Sequence, residues 1–351
     1  MTAGLYFSAN DAVLPWAKAF LNSFRAFNPD LPAYLVPFDD RCEQVLALCD
    51  RHGVGAYEDP TAFARLEAIG RNLELGRTPH GPRWFRRYAC LLDAAPLDRF
   101  AYLDARTLVL AGLREFINAP DRYGVDLAFT DAEVAQVYES GPVRTGFLRV
   151  GRGRGFNSGR WASRRGLFSL DELEEHGRAC VAVRDQLNPR NTDQAFFNFC
   201  CDAGGERCAN VGDLLPDTAA AAWAGSPGRV YRDAAGVYRR WDHRGRCGGG
   251  PDHGKRVPVL HWAGLPLSAG TPEAQLLHHF RTLRATPARR AAGRGGLFVR
   301  GLAAKITDRT RGARLANAAW HAVATPRDRG PSALRPRAKL RSPDAPPAPD
   351  P

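Results

Sequence analysis

Four polar clusters in this 351-residue chain each follow a short apolar run. Leu5 to Ser8 leads into Ala9-Asn10-Asp11, and Phe100 to Leu103 leads into Asp104-Ala105-Arg106. Asn157-Ser158-Gly159 interrupts the apolar stretch around Phe156 and Trp161, and Val257 to Leu260 ends in His261-Trp262-Ala263-Gly264. Carboxylate, imidazole, carboxamide and guanidinium groups together can bind anions, hydroxyls or a metal ion. In an open parallel sheet such groups meet beyond the carboxyl ends of the strands. Taken singly, each has a bland reading. Asn10-Asp11 suits a turn and helix cap, Asp104 a strand-end residue, Asn157 a turn, Asp193 a helix cap and His261 a satisfied structural histidine. The bland reading must hold for all of them at once, which makes a shared site the stronger expectation.

The elements that would position these groups alternate through the first hundred residues. Strand patterns lie at Leu5–Ser8, Ala33–Phe38 and Val54–Tyr57. Helical patterns run through Trp16, Phe20, Leu21 and Phe24, stopping near Asn28-Pro29, and through Val45, Leu46, Leu48 and Cys49, stopping at Gly53. This order predicts a parallel sheet with covering helices. Arg71 to Gly81 reads as a loop. A helix is predicted over about Trp84 to Ala94, with Trp84, Tyr88, Leu91, Leu92 and Ala95 on one face at ~100° per residue. Arg87 falls at the border of that face and Arg86 points away from it.

Further on, Thr107–Leu110 is extended, Asp126–Thr130 and Phe156–Ser163 read as strands, and Gly151–Gly155 as a loop. Ser169 with Glu172 forms a capping box that opens a helix. A second helix starts near Asn191-Thr192-Asp193 and continues through Phe196, Phe197, Phe199 and Cys200. The last expected helix is about Glu273 to Arg284.

Charge separates the chain into a body and a tail. Lys+Arg number 49 and Asp+Glu 37. From Arg281 to Pro351 there are sixteen Lys+Arg and four Asp, so Met1 to Phe280 is left with 33 of each sign. A neutral body excludes a nucleic-acid-binding protein whose whole surface is basic, and no specific nucleic acid is expected. Three parts follow: 1–284 as the folded domain, 285–330 as a basic, partly helical extension, and 331–351 as a proline-rich disordered tail. The tail reads first as a solvated extension. Its stripe Leu297, Phe298, Leu302 and Ile306 among arginines offers the alternative of peripheral contact with an anionic membrane surface. No run is long and apolar enough to span a bilayer, and no signal peptide is visible. The expected location is the cytoplasm, with the inner membrane face as the tail's partner only on that alternative. The eight cysteines contain no C-x-x-C pair, and Cys200-Cys201 read as buried free thiols.

Tyr102-Leu103-Asp104-Ala105-Arg106-Thr107-Leu108-Val109 resembles the "YLD-x-D-x-x-V" segment of GT-A nucleotide-diphospho-sugar transferases, closest to retaining family 8 and its bacterial glycosyltransferase-like relatives. Arg87, seventeen residues earlier, stands where that family keeps an arginine facing the sugar diphosphate. Phe156-Asn157-Ser158-Gly159 resembles "FNSG", Thr192-Asp193-Gln194 resembles its "DQ" segment, and His261-x-x-Gly264 resembles the start of "H-x-x-G-x-x-K". The resemblance spans about Leu5 to Phe280. It implies an α/β GT-A fold with a Rossmann-like, mainly parallel central sheet. It also implies transfer of a sugar, hexosyltransferase type, from a nucleotide-sugar to an unknown acceptor. On this resemblance Asp193 and Gln194 are the catalytic positions. Asn10, Asp11, Arg87, Asp104, Arg106, Asn157, Ser158, Gly159, His261 and Gly264 bind the donor.

The family holds Mn²⁺ or Mg²⁺ with both aspartates of D-x-D and the late histidine. Here the second aspartate is Arg106 and the late lysine position is Leu267, so only Asp104 and His261 remain as metal ligands, a poor Mn²⁺ pair. Arg106 either pairs with the phosphates or with Asp104 itself. The first gives a metal-independent transferase. The second gives a catalytically lapsed sugar-nucleotide-binding protein of the same fold.

Overall fold

The computed structural model describes residues 1–74, 81–131, 136–153, 155–189, 193–225, 229–241, 252–262, 265, 267, 271 and 273–284. In chain order the elements are β1 (Ala3–Ala9), α1 (Leu14–Phe27), β2 (Ala33–Pro37), α2 (Glu43–Asp50), β3 (Gly55–Ala56), α3 (Pro60–Leu73) and a 3-10 segment, Gly81–Leu91. Then come β4 (Arg99–Leu103), β5 (Thr107–Val109), α4 (Arg114–Tyr123), β6 (Leu127–Phe129), α5 (Pro142–Arg149), β7 (Arg160–Arg164), α6 (Leu170–Ala182) and α7 (Gln194–Gly204). Last are β8 (Cys208–Asn210), α8 (Val211–Leu214), the hairpin β9 (Arg229–Arg232) and β10 (Tyr238–Trp241), β11 (Val259–His261) and α9 (Ala274–Thr282).

The central sheet has the strand order β3-β2-β1-β4-β7-β6-β8. All neighbours run parallel except β7, which is antiparallel to both β4 and β6. The expected mainly parallel α/β sheet is present. Its strands are apolar on both faces, as a sheet covered on both sides requires. Tyr6, Phe100, Tyr102, Trp161 and Phe129 point into one apolar cluster with α3, the 3-10 segment, α6 and α7. Leu5, Phe7, Ala101, Leu103, Ala128 and Ala162 alternate with them and point into the other, with α1, α2 and α4. β5 and β11 pair antiparallel beside this sheet, with Thr107 opposite His261.

Two local expectations are corrected. Trp84 to Leu91 lies in the Gly81–Leu91 3-10 segment rather than an α-helix; within it Arg86 pairs with Glu67 at 2.5 Å and with Asp40. The strand expected from Phe156 begins only at Arg160, since Asn157 to Gly159 make the turn before it. Four helices went unread: α3, α4, α5 and the short α8. α3 carries a plain start signal, with Asp59 accepting from the Ala62 N–H at 2.9 Å and Pro60 in the first turn.

The capping box at Ser169 and Glu172 forms as expected. Cys200 and Cys201 are buried free thiols, and all the described cysteines are free. The described residues fall within a compact unit spanning Met1–Arg300. The segments 285–330 and 331–351, including the stripe from Leu297 to Ile306, lie outside the described residues. Among the described residues no helix is long and apolar enough to cross a membrane.

Candidate functional site

Reversal of β7 builds the site. In a parallel sheet the residue before a strand lies at the far edge from the residue after its neighbour. Because β7 runs backwards, the turn Asn157–Gly159 that precedes it sits beside Asp104, which follows β4. Leu103 pairs with Arg160, and the Asp104 N–H donates to the Gly159 carbonyl at 2.8 Å. No larger residue fits at 159: a Cβ there would lie 2.3 Å from Asp104 Oδ2 and 3.0 Å from Asn157 Oδ1.

Arg87 is the hub. It is buried, with one Nη 3.3 Å from Asp104 Oδ1 and the other 3.4 Å from Asp193 Oδ2. Its Nη1 also donates to the Ser158 carbonyl at 3.3 Å. The guanidinium lies over the Trp84 ring at 4.7 Å and the Tyr102 ring at 5.1 Å, two cation–π contacts in a desolvated setting. Burial opposes its charge, but Asp104 and Asp193 outweigh that and raise its pKa. The 3-10 geometry is what turns Arg87 inward from the border position expected of an α-helix.

Asp193 does not cap α7 with its side chain. Its carboxylate accepts from the Tyr88 hydroxyl at 2.7 Å instead and faces Arg87. Burial raises its pKa, and Arg87 and Tyr88 only partly offset that. Gln194 turns toward the Asn157 turn, its Oε1 accepting from Asn157 Nδ2 at 3.1 Å and from the Ser158 N–H at 3.4 Å. His261 brings Nε2 to 3.8 Å from Asp104 Oδ2. Burial first, then Arg160, Arg106 and Arg87, push its pKa well below the usual histidine value, so the imidazole is neutral.

Arg106 is exposed, and its guanidinium makes no ion pair or hydrogen bond among the described residues. Its backbone carbonyl accepts from the Trp262 N–H at 2.9 Å. The partner of Asp104 is therefore Arg87 and not Arg106, which leaves a cation without a partner among the described residues two positions after the carboxylate. Leu267 packs its apolar side chain against the cluster containing Trp16 and Trp262.

The structure thus gathers Arg87, Asp104, Asn157, Ser158, Gly159, Asp193, Gln194 and His261. Asn10 and Asp11 follow β1 at the same sheet edge but are held by other groups. Asn10 Nδ2 donates to buried Asp39 at 3.0 Å, and Asp11 accepts from the Val45 N–H at 2.9 Å, capping α2. Asp39 also pairs with Arg41 at 3.0 Å and Arg83 at 3.3 Å. Burial raises its pKa, but hydrogen bonds from Asn10 and Arg41 outweigh burial and lower it. Gly264 and Thr192 lie outside the described residues.

Sequence reasoning missed Trp84, Tyr88, Tyr102, Asp131, Arg160 and Trp223. The available signals were the aromatic residues flanking Arg87 and the arginine directly after Gly159.

A divalent ion does not fit this donor set. Asp104 already receives Arg87 and the Tyr102 hydroxyl on Oδ1. The position that would supply a further carboxylate is a guanidinium, and two donors beside it make a poor site. Among the described residues no three His, Cys, Asp or Glu side chains group as a metal site. What the arrangement offers is a partly buried cluster of guanidinium, carboxylate, carboxamide and imidazole groups at one sheet edge, with the exposed Arg106 beside it, groups that can hydrogen-bond hydroxyls and meet an anion.

No family model and no curated protein matches the chain. Solved structures do. The galactosyltransferase LgtC, in complex with donor and acceptor sugar analogs, aligns over 83% of this chain and 99% of that one, at 14% identity and a TM-score of 0.50. The apo bifunctional glycosyltransferase WbbM aligns over 82% of this chain and 50% of that one, at 14% identity and a TM-score of 0.46. Apo mouse xyloside xylosyltransferase 1 aligns over 59% and 83%, at 15% identity and a TM-score of 0.41. With the mainly parallel sheet, its covering helices and the agreement with LgtC over nearly that protein's whole length, the chain has a GT-A-like glycosyltransferase fold.

Proposed function

We propose that the protein is a glycosyltransferase that takes a nucleotide-diphospho-sugar and passes its sugar to an acceptor without a metal ion. The observation that carries this reading is the convergence of Arg87, Asp104, Asp193 and His261 on the edge of a GT-A-like sheet. Departure of a sugar from a nucleotide diphosphate builds negative charge on the leaving phosphate. Fixed cations placed where that charge grows lower the barrier. Arg106, exposed and without a side-chain partner among the described residues, is the group available to the phosphates, and a guanidinium can meet phosphate oxygens bidentately. Neutral His261 donates from one ring nitrogen without adding charge. Asp193, Gln194 and Asn157 supply acceptors and donors for sugar hydroxyls. The departing phosphate takes the acceptor's proton, so no separate base is required.

A second reading has its own observation. Arg87 already pairs with both Asp104 and Asp193, as in a site that binds a sugar nucleotide and does not turn it over.

Calorimetry and product analysis with UDP- and GDP-sugars, with and without EDTA, separate these. Binding with sugar release in EDTA supports the metal-free transferase. Binding without release supports the lapsed site. Absence of binding with every nucleotide sugar overturns both.

A further inference from the structure

Among the described residues the ring of His261 has no hydrogen bond to orient it. Nδ1 is buried without a partner, and Nε2 at 3.8 Å from Asp104 Oδ2 is beyond hydrogen-bond reach. Thr107, its cross-strand neighbour, also leaves its hydroxyl unpaired. A functional histidine is ordinarily held by a bond to its second nitrogen. Among the described residues the aromatic contact that can fix the plane is the Trp223 ring, stacked on the imidazole at 5.3 Å with a 22° tilt.

Trp223 is itself gripped. Arg160 opens β7 and is fully buried, with its guanidinium 4.9 Å over the Trp223 ring. Its Nη1 donates to the Ala222 carbonyl at 2.8 Å, and Asp131 pairs with it. Asp131 has φ 59°, a left-handed conformation costly for a non-glycine residue. It accepts from the Ala222 N–H at 3.1 Å, donates its own N–H to the Ala220 carbonyl at 2.8 Å, and accepts from the Asn157 N–H at 3.0 Å. The segment carrying Trp223 is thereby tied to the site turn. It also bridges His261 directly: the Ala224 N–H donates to the His261 carbonyl at 2.8 Å, and the His261 N–H to the Ala222 carbonyl at 3.2 Å. A buried ion pair is a poor source of stability compared with apolar packing. Its gain here is geometric.

We propose that Arg160, held by Asp131, positions Trp223 as a flat backstop that sets the His261 imidazole toward Asp104 before any donor arrives. Arg160, Asp131 and Trp223 are positioning residues acting through His261. The inference rests on the donor-site reading only for its consequence in binding.

Histidine ring signals in ¹³C-labelled, ligand-free protein test it, with His261 assigned by His261→Gln. Stacking on Trp223 should shift the His261 signal upfield. Trp223→Leu should remove that shift, and Trp223→Phe should keep part of it. The paired change Arg160→Met with Asp131→Asn avoids stranding a buried charge and should also move the signal. Should that pair fail to fold, Arg160→Lys carries the same readout, since an ammonium cannot lie flat over the indole. Affinity for the nucleotide sugar that the wild type binds best should fall about tenfold in Trp223→Leu and recover in Trp223→Phe, as expected for loss of roughly one oriented contact. A His261 signal unmoved by the Arg160 variants, or moved with undiminished affinity, overturns the proposal. If the wild type binds no nucleotide sugar, the proposed function fails, and the ligand-free signal still decides the strut.

Discussion

Arg87 and Asp104, seventeen residues apart in sequence, meet at 3.3 Å with the guanidinium bedded between Trp84 and Tyr102. The pair spans two different elements, the 3-10 segment and the end of β4, and so locks one to the other. Removing one member of a buried pair strands the other's charge. Arg87→Met should therefore destabilise the fold by about 3 kcal/mol, measured by urea unfolding, while Arg65→Met, whose partners Asp171 and Glu174 lie at the surface, should leave the unfolding midpoint nearly unchanged.

Gly159 is required by space, since a methyl group there would collide with the Asp104 carboxylate. Gly159→Ala should push Asp104 off its place, cost about 1–3 kcal/mol as an overpacked position, and reduce nucleotide-sugar affinity. A variant with wild-type unfolding midpoint and affinity would show that the turn relaxes freely.

Arg106 separates binding from stability. Its side chain has no partner among the described residues, so Arg106→Ala should leave the melting temperature unchanged. Nucleotide-sugar binding should weaken by about 1–3 kcal/mol for one charge-assisted contact. Arg106→Asp restores a carboxylate two positions after Asp104 and should make binding respond to Mn²⁺. Calorimetry on the wild type and both variants, with Mn²⁺ and with EDTA, reads this. Collapse of wild-type binding in EDTA would remove Arg106 from the phosphate's partners.

His52 gives the fold a pH dependence. It is buried, and burial first, then Arg284, Arg25, Arg51 and Lys18, lower its pKa from 6.5 to about 4. The unfolded state therefore binds the proton more readily between those values. Stability should be full above pH 6.5 and fall as the pH drops toward 4, by about 1–3 kcal/mol. His52→Gln should flatten that slope in thermal melts taken across this window. His261, lowered in the same direction, contributes to the remaining slope.

The neutral body and basic tail make a truncation informative. Deleting 285–351 should leave the body's melting temperature nearly unchanged, checked by calorimetry. A loss of soluble folded protein would mean that the tail packs into the core.

The sequence by itself determined the chain's order of strands and helices and the polar residues at the strand ends, because apolar periodicity and cap chemistry are local properties. Asp104, Asn157, Asp193 and His261 could be named from their positions after, or between, apolar runs. α3 was equally legible from Asp59-Pro60 and went unread. Which group faces which was decided only by the tertiary structure. Strand direction is not written in a strand's composition, so nothing local says that β7 runs backwards and carries Asn157 and Gly159 to Asp104. The fate of each arginine is likewise non-local. Arg87, Arg106 and Arg160 are the same residue type near polar turns. One is buried as the hub of two carboxylates, one is exposed without a side-chain partner among the described residues, and one is sealed against Asp131 and Trp223. A guanidinium's role follows from the carboxylates and rings that folding places around it. Those come from elements as distant in sequence as Asp193 is from Arg87.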